Sequence, residues 1–243
     1  MPIKAISFDF WHTLFTEQPG AFALYQQRRL RLLANAVLPC RQIADTELER
    51  ACSVEAASHH TIWQEHHRTM HAAERVGKIL SHLEVSLPDD SVAELVVGFE
   101  NNLLENPPVL IPGAREALSE LSARYRLGII SDVGFSPGRV LKQVLEQNGL
   151  LGLFDSLVFS DEAGCAKPHL QMFERTARSL SADPANMVHV GDLERTDIIG
   201  ATQAGYRAIR FTGVTPMEEG ELSRADFVTN DLSEIPRLIE MLA

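Results

Sequence analysis

Apolar residues recur at two different spacings along this chain. Between about residues 17 and 106 they follow helical spacing, as Phe22, Tyr25, Leu30 and Leu33 do, and strand-like runs are scarce. A helical face repeats every three to four residues, whereas a half-buried strand alternates every two. The pattern therefore predicts a block of helices in this part of the chain.

Beyond the prolines at 107–112 the spacing changes. Short apolar runs alternate there with helical patterns, which is typical of βαβ units on a parallel sheet. These runs lie at 127–130, 157–159, 187–190, 208–211 and 227–228. The run at 4–8, which precedes the helical block, has the same apolar character. We therefore predict one α/β domain whose chain is interrupted, between its first and second strands, by a helical insert at 17–107.

Composition and charge narrow the class of protein. The 243 residues are 45% hydrophobic and 23% charged, which suffices for one large core or for one core with a smaller insert. A formal net charge of −11 argues against general binding to nucleic acid or to an anionic membrane, because phosphate-rich surfaces repel such a chain. Three cysteines fit neither a zinc site nor a disulfide framework. Without a signal-like or membrane-spanning apolar segment, we expect a cytoplasmic protein.

Polar residues follow the predicted strands at the points where the strands end. The set comprises Asp9 after the first strand, Ser131 and Asp132 after the second, Lys167 near the third, and Asp192 with Asp197 after the fourth. In an open parallel sheet, ligands bind beyond the carboxyl ends of the strands. We therefore expect these side chains to line one site.

Each of these residues also has an ordinary structural explanation when taken alone. Asp9 or Asp192 could cap a turn or a helix, Ser131 is a common turn residue, and Lys167 is a common surface charge. Taken together, three aspartates suit a magnesium ion, while a serine and a lysine supply the hydrogen-bond donor and counter-charge that a phosphate requires. The set therefore favours a site for Mg²⁺ and phosphate over chance placement.

The order and spacing of these residues resemble the haloacid dehalogenase-like (HAD) hydrolase superfamily. Four motifs carry the resemblance: Asp9 with Thr13-Leu14, then Ser131, then Lys167-Pro168, then Gly191-Asp192 with Asp197. Each motif is weak alone, but the ordered set extends over nearly the whole chain. The resemblance implies a Rossmann-like, doubly wound parallel-sheet core at 1–16 and 108–243. It also implies that 17–107 is an all-helical cap domain of the family's C1 type.

The resemblance further implies roles in catalysis. Asp9 would be the nucleophile that forms an aspartyl-phosphate, while Ser131 and Lys167 would hold the phosphoryl group. The predicted substrate-binding residues are Trp11, His12, Ser131, Asp132 and Lys167. The expected substrate is a small phosphorylated metabolite, and the protein is expected to act as a monomer or homodimer.

The cofactor implied by the resemblance is Mg²⁺. Its predicted ligands are Asp9, Asp192 and the backbone carbonyl of Trp11, with Asp197 contributing directly or through water. A carboxylate that attacks a negatively charged phosphoryl group requires that charge to be neutralised, and a magnesium ion and a lysine can do so.

One position departs from the family pattern. Phosphatases of this family usually carry a second aspartate two residues after the nucleophile, which serves as general acid and later as general base. In this chain that position is Trp11, and the usual glycine beside it is His12, which can titrate near neutral pH. Since a positioned general acid is worth roughly 10²–10⁴ in rate, we expect ordinary alcohol leaving groups to suffer most.

Three readings of the function therefore stay open. The first is a magnesium-dependent phosphohydrolase that works without the standard acid. The second is hydrolysis of a C–halogen or C–P bond. Dehalogenases of the family carry an aromatic residue at the position of Trp11 but use no metal. Phosphonoacetaldehyde-type hydrolases, which cleave a C–P bond, use a cap lysine as Schiff base, and the insert offers only Lys78. The third is a non-catalytic or phosphate-binding member of the family in which Trp11 fills the pocket.

The insert also contains a group of histidines. These are His59, His60, His66, His67 and His71, with Trp63 among them. His67 and His71 stand four residues apart, so they could share a helical face at the spacing of metal ligands. No third ligand at a characteristic spacing supports zinc, and we prefer a polar face of the cap.

Overall fold

The computed structural model describes residues 2–242, in which eight strands are found. In chain order they are β1 (Ala5–Phe8), β2 (Phe15–Thr16), β3 (Val109–Leu110), β4 (Arg126–Ser131), β5 (Ser156–Phe159), β6 (Met187–Gly191), β7 (Arg207–Phe211) and β8 (Phe227–Thr229). Strands β2 and β3 form a separate antiparallel pair. The other six form one parallel sheet, and they confirm all six strands predicted from apolar runs.

The order of the strands in the sheet places the site. The order is β5-β4-β1-β6-β7-β8, which is 3-2-1-4-5-6 when the six strands are counted along the chain. This is the doubly wound order, in which ligands bind where the direction of winding reverses. The reversal falls between β1 and β6, which pair in parallel with Phe8 opposite Val190. Asp9 and Asp192 follow these two strands directly.

Ten α-helices lie within residues 2–242. They are α1 (Ala21–Val37), α2 (Asp45–His66), α3 (Ala72–His82), α4 (Asp89–Asn101), α5 (Ala114–Ser122), α6 (Gly138–Gln147), α7 (Ser160–Ala163), α8 (Leu170–Ser179), α9 (Ile199–Gln203) and α10 (Ile235–Leu242). A π-helical turn, Glu194–Ile198, precedes α9. Within the described residues, no helix combines the length and apolarity needed to cross a bilayer.

The chain divides into two compact units. The α/β unit comprises the residues up to Thr16, Val109–Asp132, and the residues from Leu145 onward, whereas the helical unit comprises Glu17–Pro108 and Val133–Val144. The helical part predicted from the sequence was 17–107. The structure groups the segment after Asp132 with the helices as well, so that the division falls within α6.

Each unit has a hydrophobic core of its own. In the α/β unit, Phe173 of α8 packs with strand residues such as Ile130 and Met187. In the helical unit, Leu33 of α1 and Phe99 of α4 belong to the buried cluster. Full burial of such a side chain stabilises the fold by about 1.5–3 kcal/mol, so these helices fold through their packing more than through propensity.

Candidate active site

Three buried carboxylates converge at the reversal point of the sheet. Asp9 directly follows β1, Asp192 directly follows β6, and Asp197 lies in the π-helical turn Glu194–Ile198. Each residue offers one ligand oxygen, and these oxygens all lie within 4.8 Å of one another. Such an arrangement of oxygen ligands suits a small divalent cation, since hard cations prefer carboxylate oxygens.

A glycine makes this convergence possible. A Cβ atom at Gly191 would lie 2.4 Å from both Cβ and Cγ of Asp197. Real side chains do not approach so closely, so any larger residue at this position would displace the Asp197 carboxylate. The glycine of the Gly191-Asp192 motif therefore leaves space for the third carboxylate.

Lys167 joins two of the carboxylates. Its Nζ donates hydrogen bonds to Oδ1 of Asp9 at 2.6 Å and to Oδ1 of Asp197 at 2.5 Å. Its backbone N–H donates to Oδ1 of Asp132 at 2.9 Å, so Asp132 holds the loop that carries the lysine. Three carboxylates and one ammonium group leave two net negative charges when all are ionised, which matches the charge of a divalent cation.

The electrostatics of the site are those of a crowded anionic cluster. Burial, with the nearby charges of Asp197 and Asp192, raises the pKa of Asp9 well above its usual range, although Lys167 opposes the shift. Burial and the charge of Asp197 raise the pKa of Asp192 to about 6. Burial alone would raise the pKa of Asp197 too, but Lys167 and His189 hold it below its usual range. A bound cation would relieve the repulsion that these shifts report.

Sequence reasoning missed two buried residues, Ser7 and His189, that are linked to Asp197 by hydrogen bonds. Ser7 and His189 are paired across β1 and β6, and both are fully buried. Ser7 Oγ lies 2.9 Å from His189 Nδ1, and His189 Nε2 lies 3.2 Å from Asp197 Oδ1. Burial lowers the pKa of His189 despite the opposing effect of Asp197. In the sequence, Ser7 and His189 are each a polar residue within an otherwise apolar strand, and this pattern could have indicated them.

Asp192 is held by residues that the sequence pattern also did not reveal. Thr215 Oγ1 donates a hydrogen bond to Asp192 Oδ2 at 2.7 Å. Nε of the buried Arg210 donates to the backbone carbonyl of Asp192 at 3.1 Å. Both residues come later in the chain and match no motif, so only the three-dimensional structure connects them with the site.

Ser131 ends β4, the strand next to β1 in the sheet. It is fully buried, and its hydroxyl donates to the backbone carbonyl of Asp132 at 3.0 Å. The register pairs Phe8 with Ile129, so Ser131 lies at the same edge of the sheet as Asp9. This placement is consistent with a phosphate-binding role, which stays a prediction.

Trp11 and His12 lie in the turn that follows Asp9. Trp11 is half-buried and packs edge-on against Phe10, with ring centroids 5.1 Å apart. His12 has a φ of 56°, which lies in the left-handed region that glycine adopts most easily. Its Nδ1 lies 3.9 Å from Oδ2 of Asp192, and 40% of its side chain is exposed. A titratable imidazole therefore stands beside the carboxylates.

The histidine group of the insert does not form a helical metal site. Helix α2 ends at His66, His67 has a left-handed φ of 48°, and His71 precedes α3. The suggestion that His67 and His71 share a helical face is therefore wrong, because the five residues between α2 and α3, from His67 to His71, are not helical. Within residues 2–242, the aspartate triad is the one group of three or more ligands close enough to hold a metal ion.

The fold and the site together define an α/β enzyme with a carboxylate-lysine centre at the reversal point of its sheet. The family model described as haloacid dehalogenase-like hydrolase matches residues 3–205, and the chain belongs to that family. It is similar to glyceraldehyde 3-phosphate phosphatase of Methanothermobacter thermautotrophicus, with 28% identity over 244 residues that cover 99% of this chain and 100% of the relative.

Solved structures share the fold. A 2-haloacid dehalogenase from Pseudomonas syringae pv. Tomato DC3000 aligns with a TM-score of 0.75 and 24% identity, covering 99% of this chain and 100% of that chain. The HAD-hydrolase YfnB of Bacillus subtilis, described as bound to magnesium, aligns with a TM-score of 0.66 and 19% identity over 98% of this chain and 99% of that chain. At these identities the comparison establishes the fold and leaves the substrate open.

Proposed function

We propose that this HAD-family hydrolase is a magnesium-dependent phosphohydrolase acting on small phosphorylated metabolites. The observation that carries the proposal is the convergence of Asp9, Asp192 and Asp197, with the ammonium group of Lys167 bonded to the first and the last of them. The full-length similarity to a glyceraldehyde 3-phosphate phosphatase supports the phosphate class of substrate. Magnesium in the related YfnB supports the choice of cation.

The charge of the site explains why a cation belongs there. Asp9, Asp192 and Asp197 would hold Mg²⁺, with the backbone carbonyl of Trp11 as a further ligand. When bound, the ion would neutralise phosphoryl charge that would otherwise repel the Asp9 carboxylate. Lys167 neutralises part of the negative charge of the carboxylates, because its Nζ donates hydrogen bonds to both Asp9 and Asp197.

The residues of the chain then divide the two displacements between them. An Oδ atom of Asp9 attacks phosphorus, the bond from phosphorus to the leaving oxygen breaks, and an aspartyl-phosphate results. Ser131 and Lys167 hold the oxygens of the transferred group. Water then attacks the phosphorus, which releases inorganic phosphate and restores the carboxylate.

Proton transfer is the step that this chain handles differently. Trp11 cannot protonate the leaving oxygen, so substrates whose leaving groups need no proton should react best. Acyl phosphates and aryl phosphates fit this description, whereas simple alkyl phosphates do not. His12 could serve instead, because its partly exposed imidazole has Nδ1 3.9 Å from Oδ2 of Asp192, whereas the His189 imidazole beside Asp197 is fully buried.

Hydrolysis of a carbon–halogen bond is the second candidate, and the specific observation in its favour is the aromatic side chain of Trp11. It would use Asp9 as nucleophile on carbon and would need no metal. The buried triad counts against it, because without a metal ion Lys167 alone would balance the charge of three convergent carboxylates.

A substrate panel tests the proposal. Acetyl phosphate, p-nitrophenyl phosphate, glyceraldehyde 3-phosphate and 2-chloropropionate should be assayed with Mg²⁺ and with a chelator, using the wild type and Asp9→Asn. We expect phosphate release that needs both Mg²⁺ and Asp9, fastest with acetyl phosphate. Chloride release that is indifferent to the chelator would favour the dehalogenase, and inactivity on the whole panel despite Mg²⁺ binding would favour a non-catalytic member.

A further inference from the structure

The helical unit contains a cavity that the proposed function does not use. Its volume is about 540 Å³, which lies in the range of sites for small molecules. Residues of α1, α2, α3, α4 and the segment after Asp132 line it. Those that matter here are Phe22, Arg29, Cys52, Glu55, Arg75 and Phe135.

One of the two guanidinium groups in the cavity, that of Arg75, is already bound to a carboxylate. Arg75 donates from Nε and Nη2 to the two carboxylate oxygens of Glu55, at 2.6 and 3.0 Å, and both side chains are almost completely buried. The Arg75 guanidinium also lies 3.5 Å from the ring centroid of Phe135. A bidentate pair of this kind leaves Glu55 little capacity to accept from another cation.

The second guanidinium has no such partner. Among residues 2–242 the Arg29 side chain makes no hydrogen bond and no ion pair, and its guanidinium group lies over the face of Phe135, 4.9 Å from the ring centroid. Burial and the charge of Arg75 lower the pKa of Arg29 to about 10, so the group stays charged at neutral pH. The carboxylate of Glu55 offsets only part of this effect, and a half-buried cation that lies beside another cation without a hydrogen-bonded anion is costly.

Two other titratable groups that act on Arg29, Cys52 and Tyr25, do not compensate its charge. Burial raises the pKa of the Cys52 thiol to about 11, and it also raises the pKa of the Tyr25 phenol. Both groups are therefore neutral at physiological pH. Two carboxylates also line the cavity, but Glu55 is paired with Arg75 and Glu49 is exposed. The cavity thus combines a guanidinium group that no carboxylate hydrogen-bonds with apolar surface, including Phe22, which is 61% exposed.

We propose that this cavity binds a small organic anion whose charged group pairs with Arg29 and whose apolar body lies against Phe22 and Phe135. Either a carboxylate or a phosphate provides the two oxygens that match the planar guanidinium. No residue of the aspartate triad is among those that line the cavity, and the inference does not depend on the proposed phosphohydrolase activity.

Binding of small probes tests this inference. Benzoate, phenyl phosphate and the neutral benzamide should be titrated into the protein without Mg²⁺ and followed by ligand-observed NMR. We expect benzoate or phenyl phosphate to bind at least about tenfold more tightly than benzamide, because a hydrogen bond to a charged group is worth that much. Whichever anion binds more tightly identifies the preferred charged group.

Three variants locate the bound probe. Arg29→Met keeps the apolar stem but removes the charge, and should weaken anion binding about tenfold or more without lowering Tm, since it relieves repulsion from Arg75. Arg31→Met, an exposed arginine on the same helix, should leave binding unchanged. Ser131→Ala, which changes the predicted phosphate site, should also leave benzoate binding unchanged.

The inference would be overturned in any of three ways. Benzamide could bind as tightly as both anions, or anion binding could survive Arg29→Met. Alternatively, neither anion could show saturation by about 10 mM, a concentration at which even weak specific sites fill. Failure of the substrate panel would not bear on it, because that panel tests Asp9 and Mg²⁺.

Discussion

The ammonium group of Lys167 lies 2.6 Å from Oδ1 of Asp9, and both side chains are buried. This ion pair connects residues 158 positions apart in sequence, across the carboxyl edge of the sheet. Burial by itself would lower the pKa of Lys167, but Asp197, Asp9 and Asp132 raise it well above its usual range. The lysine therefore stays protonated and favours the anionic form of the proposed nucleophile.

Removal of this lysine should destabilise the protein. Lys167→Met would leave Asp9 and Asp197 buried without their counter-charge, and loss of one partner from a buried ion pair costs about 3–5 kcal/mol. The loss should be larger at pH 8 than at pH 5, because protonation of Asp9 relieves the cost. Urea denaturation at the two pH values measures it. Arg124→Met, which breaks an exposed pair with Glu240, is the control and should change stability little.

Asp192 should make the metal-free protein less stable at high pH. Its pKa is raised to about 6, so the folded state prefers the protonated form. The cost of the charge is therefore fully present above pH 6, shrinks as the pH falls, and is absent below about pH 4, the usual pKa of an aspartate. Asp192→Asn should therefore raise the free energy of unfolding by about 1–3 kcal/mol at pH 8 and by about half as much at pH 5. Glu146→Gln, at an exposed carboxylate, is the control. An equal gain at both pH values would contradict this explanation.

The same residue should govern the response to magnesium. Mg²⁺ binds the folded state and should raise the Tm of the wild type at pH 8. The rise should shrink as the pH falls below about 6, because a proton on Asp192 competes with the cation. Asp192→Asn should abolish most of the rise. An unchanged magnesium response in this variant would show that Asp192 is not a ligand.

Restoring the family pattern should restore the missing acid. Trp11→Asp together with His12→Gly should raise turnover of alkyl phosphates by about 10²–10⁴, the range expected for positioned acid catalysis. The glycine also suits the left-handed φ of 56° at position 12. Aryl phosphates, whose leaving groups need no proton, should gain much less and serve as the internal comparison.

Two other results would change this account of proton transfer. If His12 already acts as the acid, the wild type should follow a histidine-like pH profile and His12→Ala should abolish activity. A double variant that folds and binds Mg²⁺ but hydrolyses nothing would refute the missing-acid explanation.

The sequence predicted those parts of the structure that depend on local pattern. Buried strands of a parallel sheet are short apolar runs, and the polar residue that ends each run is easy to find, as with Asp9 and Asp192. The parallel sheet then brings such residues to one edge whatever the loops do. The convergence of Asp9 and Asp192 therefore followed from strand order together with the end of each run, whereas Asp197 lies in the turn beyond β6.

Other features depend on contacts between distant parts of the chain. Thr215 reaches Asp192 from a segment without a motif, and the Ser7–His189 pair requires the register of β1 against β6. The break between His67 and His71 shows the reverse problem, because helical spacing was present where the backbone leaves the helix. The Arg29 cavity likewise needs four helices and the segment containing Phe135, and no local pattern encodes it.

The most direct test of the central claim is to trap the covalent intermediate. The protein should be mixed with acetyl phosphate and Mg²⁺, quenched in acid after short times, digested and analysed by mass spectrometry. We predict one phosphoryl group on the peptide that contains Asp9, absent with a chelator and absent in Asp9→Asn. Steady release of phosphate with no label on Asp9, or with the label on another residue, would contradict the proposed mechanism.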